Sequence, residues 1–309
     1  MIFNIFLLIL SLFLLIKGAT LSTVYAAKLA ESFKLSKYTV GFIIVAMISI
    51  LPETFIAIDS TLEGESAFGL ATLFGSNITD LTLIFAIIIF VANRGLKVET
   101  KILKNSAVYP LLLILPLILG LNGHFSRIEG LALILAGCIF YFFTLRDGFR
   151  DTLSSRKKNN RLRNFLLLLF STGLLLLGSH FAVNSAIELA HILHINPLLI
   201  GMFIVGIGTT MPEFVFALKS VRKKDDSLAV GDILGTVLAD ATIVVGILAL
   251  INPFSFPQKI IYVTGVFMVV ASFTLFHFML SGRSISRRES YMLLALWIIF
   301  IIVELYVNT

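Results

Sequence analysis

Ten apolar segments, each long enough to cross a lipid bilayer, take up nearly the whole chain: roughly residues 2–25, 38–61, 67–91, 103–121, 126–146, 164–187, 197–219, 228–250, 258–280 and 288–306. Two of them carry a glutamate directly after a proline near their middle. These stretches read Ser49-Ile50-Leu51-Pro52-Glu53 and Thr209-Thr210-Met211-Pro212-Glu213. A carboxylate at mid-bilayer depth is expensive, and the proline removes a helix hydrogen bond beside it. A chain that accepts this twice, at corresponding places, is expected to handle cations inside a membrane.

The composition agrees. At 58% hydrophobic and 14% charged, with mean hydropathy +1.00, the chain lies far outside soluble globular proteins. The apolar runs do not alternate with polar residues, so the predicted fold is an all-α polytopic membrane protein of ten transmembrane helices rather than a barrel. No large soluble domain fits between the runs. The first run lacks a basic stretch before it and is too long for a leader, so it reads as a mature helix. The one cysteine, Cys138, lies in an apolar run, which excludes a disulfide framework or a thiolate metal site within the chain.

The net charge of +6 suggests nucleic acid only until its distribution is traced. With the N-terminus outside and ten helices alternating, 21 of the 24 lysines and arginines fall in inside loops. Arg127 and Lys259 are outside, and Lys17 lies in the first helix. The positive-inside rule therefore predicts both termini outside, in a multi-pass protein of the cell membrane. The basic clusters are a topology signal first and a surface for anionic lipid headgroups second. Nucleic acid is not an expected partner, and the sequence sets no oligomeric state.

Residues recur at an offset of 160. Gly18 matches Gly178, Ala30 matches Ala190, Gly41 matches Gly201, Gly75 matches Gly235, Asp80 matches Asp240 and Thr82 matches Thr242, alongside the Pro-Glu pairs. Each half holds five helices. An odd number turns the second half over, which predicts two inverted five-helix repeats with a binding site at the midplane. The repeats span 1–147 and 164–309, joined by a basic cytoplasmic linker at 148–163.

The local chemistry follows from the prolines. Pro52 has no N–H for the carbonyl of Ile48, and Pro212 has none for Gly208. Free carbonyls at this depth are tolerated only where they face protein, water or a ligand. Beside them stand the hydroxyls of Ser49, Thr209 and Thr210, then Glu53 and Glu213. Carbonyl, hydroxyl and carboxylate oxygens are the ligands of hard cations such as Ca2+ and Na+. A proline kink beside a buried carboxyl explains one such stretch, but explains two at related positions poorly.

The partner stretches are Gly75-Ser76-Asn77-Ile78-Thr79-Asp80 and Gly235-Thr236-Val237-Leu238-Ala239-Asp240. Asp80 and Asp240 follow Ser76 and Thr236 by four residues, on the same helix face. Elsewhere the signals are weaker. Asp232 reads equally as a pathway carboxylate or an exposed helix-start residue. Asp59 and Lys219 read as helix-end residues that do not pair. Lys17, His277 and Glu304 read as snorkelling or interface groups, and His191 and His194 as loop residues.

As a set these residues resemble the cation/Ca2+ exchanger superfamily: the sodium/calcium exchangers and their relatives, of the prokaryotic type. The family carries a glycine–hydroxyl–hydroxyl–x–Pro–Glu stretch followed by Gly-Asn…Gly-Ser-Asn…Asn/Asp. The resemblance covers most of the chain and is strongest at Gly208–Glu213 and Gly231–Asp240. It implies that Glu53 and Glu213 bind Ca2+ directly and that Thr209 adds a hydroxyl or carbonyl. It implies that Ser76, Thr209 and Thr210 help form sodium sites, that Asp80 and Asp240 flank the centre, and that Ala46 and Gly206 offer backbone carbonyls. Ser49 is the hydroxyl retained in the first repeat, where Ile48-Ser49-Ile50 replaces glycine and two hydroxyls. Ala71-Thr72 replaces Gly-Asn, Gly231-Asp232 changes only the Asn, and Asp80 stands where sodium-coupled relatives often carry Asn.

Four carboxylates, Glu53, Asp80, Glu213 and Asp240, then share the centre. One Ca2+ neutralises two, and the others need sodium, potassium or protons. The expected activity is secondary-active exchange of Ca2+ for Na+ by alternating access, with no enzymatic step and no cofactor. The alternatives are exchange of Ca2+, or another divalent ion such as Mg2+ or Mn2+, for H+, and a cation-binding receptor that does not transport. No phosphate-binding loop and no His-Glu-x-x-His motif occurs, which argues against a nucleotide-driven pump and an intramembrane metalloprotease.

Overall fold

A computed structural model describes residues 2–30, 46–98, 108–148 and 161–308. It is mostly helical, with eight helices among the described residues long and apolar enough to cross a membrane. Two of the ten apolar runs lie partly outside the described residues. Of the run at 38–61, residues 46–61 are seen; of that at 103–121, the seen part is a shorter apolar helix at Val108–Asn122. Most of the linker and Gly41 fall outside the described residues.

The same succession of elements occurs twice, with bounds 160 positions apart. Ala46–Ser49 answers Gly206–Thr209, and Leu51–Leu62 answers Met211–Arg222. Ser66–Thr79 answers Asp226–Ala239, the π-turn at Asp80–Ile84 answers that at Asp240–Val244, and Arg127–Gly148 answers Arg287–Asn308. Two small antiparallel pairings join the halves crosswise. Strand β1 (Leu96–Lys97) pairs with β4 (Ser284–Ile285), and β2 (His124–Phe125) with β3 (Phe254–Ser255).

Burial sorts the helices. The spans Ser66–Ala92 and Asp226–Ile251 are 78% and 83% buried within the protein, whereas Leu162–Leu193 and Arg287–Asn308 are 33% and 22%. The spans that carry Asp80, Asp232 and Asp240 are therefore innermost, and leucine- and phenylalanine-rich faces lie outermost. Ile2–Ala30 and Arg161–Leu193 form a separate closely crossing pair. A Cβ on Gly178 would stand 2.7 Å from the Leu15 amide nitrogen, and one on Gly18 would stand 2.9 Å from the Ser171 carbonyl oxygen. Glycine is needed at both places because backbone meets backbone. With Ile56, Phe68, Ile200 and Val205 this pair encloses its own apolar cluster, distinct from the main core.

Candidate functional site

Both Pro-Glu helices begin at a break. Ile50 (φ −69°, ψ −7°) and Thr210 (φ −76°, ψ −5°) leave regular helical geometry, and Pro52 and Pro212 occupy the first turn of the next helix. Proline is tolerated there because its missing N–H lacks an intrahelical acceptor in any case. The break is bridged on both sides. The Ile50 N–H donates to the Ala46 carbonyl at 2.9 Å, and the Thr210 N–H to Gly206 at 3.2 Å. Of the two carbonyls expected to be open, Ala46 accepts this one backbone hydrogen bond, whereas Gly206 also accepts the Thr209 hydroxyl at 2.9 Å, which occupies both its lone pairs.

One turn past each break lie Glu53 and Glu213, 1% and 0% exposed. Asp80 and Asp240 occupy the first positions of the paired π-turns, where an extra residue per turn widens the helix. Where α and π hydrogen bonding meet, the Thr82 hydroxyl donates to Ile78 at 2.5 Å and Thr242 to Leu238 at 2.6 Å. Nothing in the sequence announces these turns. The close approach that gathers the helices comes from small residues. A Cβ on Gly75 would lie 2.8 Å from the Met202 Cα, and one on Gly206 3.3 Å from the Ser76 nitrogen.

The carboxylates share one electrostatic neighbourhood. The charge of Glu53 acts on Asp80, Glu213 and Asp240, and that of Asp232 acts on Glu53, Asp80 and Glu213. Asp232 is fully buried, well inside a helix that begins at Asp226, so the exposed helix-start reading does not hold. Its Oδ1 accepts the Ser49 hydroxyl across the halves at 3.0 Å. The other nine oxygens of Glu53, Asp80, Glu213, Asp232 and Asp240 have no hydrogen-bond partner, and none of these groups pairs with a lysine or arginine among the described residues.

The surrounding oxygens are arranged as acceptors. Thr209 faces Glu53 but donates its proton to the Gly206 carbonyl at 2.9 Å; Thr210 donates to Ile207 at 3.0 Å and Ser76 to Leu73 at 2.9 Å. A hydroxyl that spends its proton on its own helix turns its lone pairs elsewhere. Asn77 Oδ1 and Thr236 Oγ1 are buried without partners. Among the described residues, no three Asp, Glu, His or Cys side chains lie together closely enough to hold a metal ion. The donors are all oxygens, whose chemistry suits a hard cation and offers nothing to a soft one.

The weaker candidates separate. Asp59, in the last turn of its helix, accepts the Ser179 hydroxyl of the long helix at 2.5 Å, while Lys219, in the last turn of the corresponding helix, is exposed. Lys17 is exposed above the Phe13 ring. Glu304 is an interface residue, held by Thr264 at 2.5 Å and Asn308 at 2.7 Å. No sequence pattern singles out Arg94, which grips Asp226 with two bonds of 2.6 Å and also donates to the Val221 carbonyl at 3.0 Å. The partners lie 132 positions apart in sequence, and only the fold brings them together.

Buried, unpaired carboxylates on a duplicated membrane scaffold define a membrane protein of the cation-exchanger class. The family model described as sodium/calcium exchanger protein matches residues 3–146 and again 163–306, and the chain belongs to that family. Sodium/calcium exchanger MaX1 of Methanosarcina acetivorans is 23% identical, with 98% of this chain and 99% of the relative covered. Inner membrane protein YrbG of Escherichia coli is 27% identical, with 80% and 79% covered. A solved structure of the sodium-calcium exchanger NCX_Mj superposes with TM-score 0.74 at 23% identity, covering 96% of this chain and 97% of the other, which establishes the likeness of fold.

Proposed function

We propose that this chain is a secondary-active antiporter that exchanges Ca2+ for Na+ at a midplane site shared by two inverted five-helix halves. The halves are 1–147 and 164–309, joined by a cytoplasmic linker at 148–163, with both termini outside the cell membrane. The observation that carries this reading is the set of nine buried carboxylate oxygens with neither hydrogen-bond donor nor cationic side chain among the described residues. Each buried ion loses several kcal/mol of solvation, so the set is stable only when cations or protons neutralise it.

In this reading Glu53 and Glu213 hold Ca2+. Asp80 and Asp240 flank it, and Ser49, Ser76, Thr209 and Thr210 supply hydroxyl oxygens. Ala46 offers its second carbonyl lone pair, and Gly206 offers one once the Thr209 hydroxyl turns its proton away. Sodium ions compete for the same oxygens, and that competition couples the two fluxes. The crossing pair Ile2–Ala30 and Arg161–Leu193, with its separate apolar cluster, moves against the inner bundle and opens the site to each side in turn.

Exchange of Ca2+ or another divalent ion for H+ is the second reading. It is favoured by the carboxylate count, since a fifth buried carboxylate raises the charge left over after one divalent ion binds. Proteoliposomes loaded with radiolabelled Ca2+ and given imposed Na+, K+ or H+ gradients decide between them. Flux driven by sodium alone supports the first reading. Flux driven by protons without sodium replaces it with the second, and equilibrium binding without flux would sink exchange in favour of a receptor.

A further inference from the structure

Asp232 breaks the likeness of the halves. It lies on the same helical stripe as Thr236 and Asp240, four residues apart at each step, so the three climb the helix by about 6 Å per step. The corresponding stripe is Thr72, Ser76 and Asp80. The second and third positions match in kind, but at the first a hydroxyl, Thr72, in one half is a carboxylate, Asp232, in the other. The hydroxyl partners differ in the same sense. Thr72 donates to the Phe68 carbonyl of its own helix at 2.9 Å, and Thr209 to its own Gly206. Ser49, the counterpart of Thr209, reaches across to Asp232.

We propose that Asp232 and Ser49 form a monovalent-cation subsite on one side of the centre, with no counterpart on the other side. This rests on the exchange reading above and deepens it. Asp232 Oδ2 is fully buried and unpartnered, while Oδ1 is fixed by Ser49, so the free oxygen is held in place. The Ser49 oxygen keeps its lone pairs, and Pro52 withholds an N–H from the neighbouring Ile48 carbonyl. One carboxylate, one hydroxyl and a carbonyl provide a single negative charge and neutral oxygens. That suits Na+ or K+ better than a divalent ion, which needs more negative charge around it. The subsite sits about 12 Å of helix rise from Asp240, toward the end that begins at Asp226. In the expected topology this is the inner side. A cation held there adds to those at the centre, so the chain moves one more monovalent ion per Ca2+ than a four-carboxylate site.

The test is the coupling ratio. In proteoliposomes, the Ca2+ gradient at zero net flux is measured against the imposed Na+ gradient, and the logarithmic slope gives sodium ions per Ca2+. Asp232→Asn is expected to lower this slope by one ion, and Asp232→Glu to keep it. An unchanged slope in Asp232→Asn overturns the subsite. A slope that falls only when the pH gradient is clamped also overturns it, by assigning the charge to a proton. If Asp232→Asn carries no flux, equilibrium binding of radiolabelled Na+ to the protein in detergent replaces the slope. A saturating stoichiometry lower by one ion supports the proposal, and an equal one overturns it. Wild-type protein without flux in any gradient defeats the exchange reading itself, a result separable from any behaviour of the variant.

Discussion

The two halves agree where charge must be placed and differ where charge is tuned. Both put a glutamate one turn past a proline-marked break, and both put an aspartate at the head of a π-turn. Around that shared frame the second half keeps Gly208-Thr209-Thr210, while the first has Ile48-Ser49-Ile50. Asp232 faces Ser49, where the counterpart of Asp232 is Thr72. On the proposed exchange reading, the frame is what two halves need in order to enclose one cation path. The departures concern neutral oxygens and a single extra charge, which on that reading set the ions that share the path and their number.

The strongest way to break this comparison is to remove one glutamate at a time. If the halves contribute equivalent walls, Glu53→Gln and Glu213→Gln should each abolish gradient-driven Ca2+ uptake. Ca2+ affinity should fall by roughly a hundredfold or more, as removal of one partner from a buried charge pair costs about 3–5 kcal/mol. Isothermal titration with Ca2+ and vesicle uptake measure this. A variant that keeps near-normal uptake on one side only shows that a single half carries the ion.

Next in size is the helix crossing at Gly18 and Gly178. Gly178→Leu forces a side chain into the Leu15 backbone, and such overpacking costs about 1–3 kcal/mol. Thermal unfolding in detergent should shift down and transport should fall, and Gly18→Leu should act alike. Gly173→Ala, on the same long helix with nothing within 4 Å of its added Cβ, should leave both unchanged. Loss of stability in that control would remove the crossing point as the cause.

These two tests also mark how far the sequence could be read. The duplicated Pro-Glu and Gly…Asp stretches are local, and their depth in apolar runs follows from counting residues. The helices follow from the same counting, whereas the innermost place of the acidic spans comes from how they pack. The π-turns are not legible, because Asp80-Leu81-Thr82 suits an ordinary α-helix as well. Asp232 stayed ambiguous because it lies near a helix start, where an acidic residue often faces water. Its burial depends on packing against Ala46–Ser49, from the other half. Arg94 and Asp226 met the same limit, since no periodicity connects residues on different spans.

That ion pair gives a third test, because the halves differ here too. Arg94 clamps Asp226 and Val221, whereas position 254, its counterpart, is a phenylalanine against Phe125 and Phe256. Arg94→Ala should lower stability by roughly 1–2 kcal/mol, a modest figure because Arg94 is 33% exposed while the Asp226 left behind is not. Its hydrogen bonds to Asp226, then the Asp226 charge, push the Arg94 guanidinium above its ordinary range. A cation raised in this way contributes in full below its ordinary pKa and fades only as pH climbs through the folded one. The effect of Arg94→Ala should therefore be constant from about pH 6 to about pH 9. Unfolding midpoints across that range check this, with Phe254→Ala as the comparison expected to be insensitive to salt.

The smallest effect comes from the one tryptophan. Trp297 is partly buried and donates its indole N–H to the Thr79 hydroxyl at 3.3 Å, beside Asp80. Its counterpart in the other half is Gly137, which lets Thr242 and Ile243 approach closely instead. Trp297 therefore reports on the Asp80 side alone. A cation entering beside Asp80 changes the field at the indole and the packing of the π-turn. Ca2+ should shift Trp297 emission by a small amount that a chelator reverses. Asp80→Asn should nearly erase the response, while Asp240→Asn should weaken Ca2+ affinity yet leave the saturating shift in place. An equal loss of amplitude in both variants would mean that the two aspartates act as one group, and the tryptophan does not distinguish the halves.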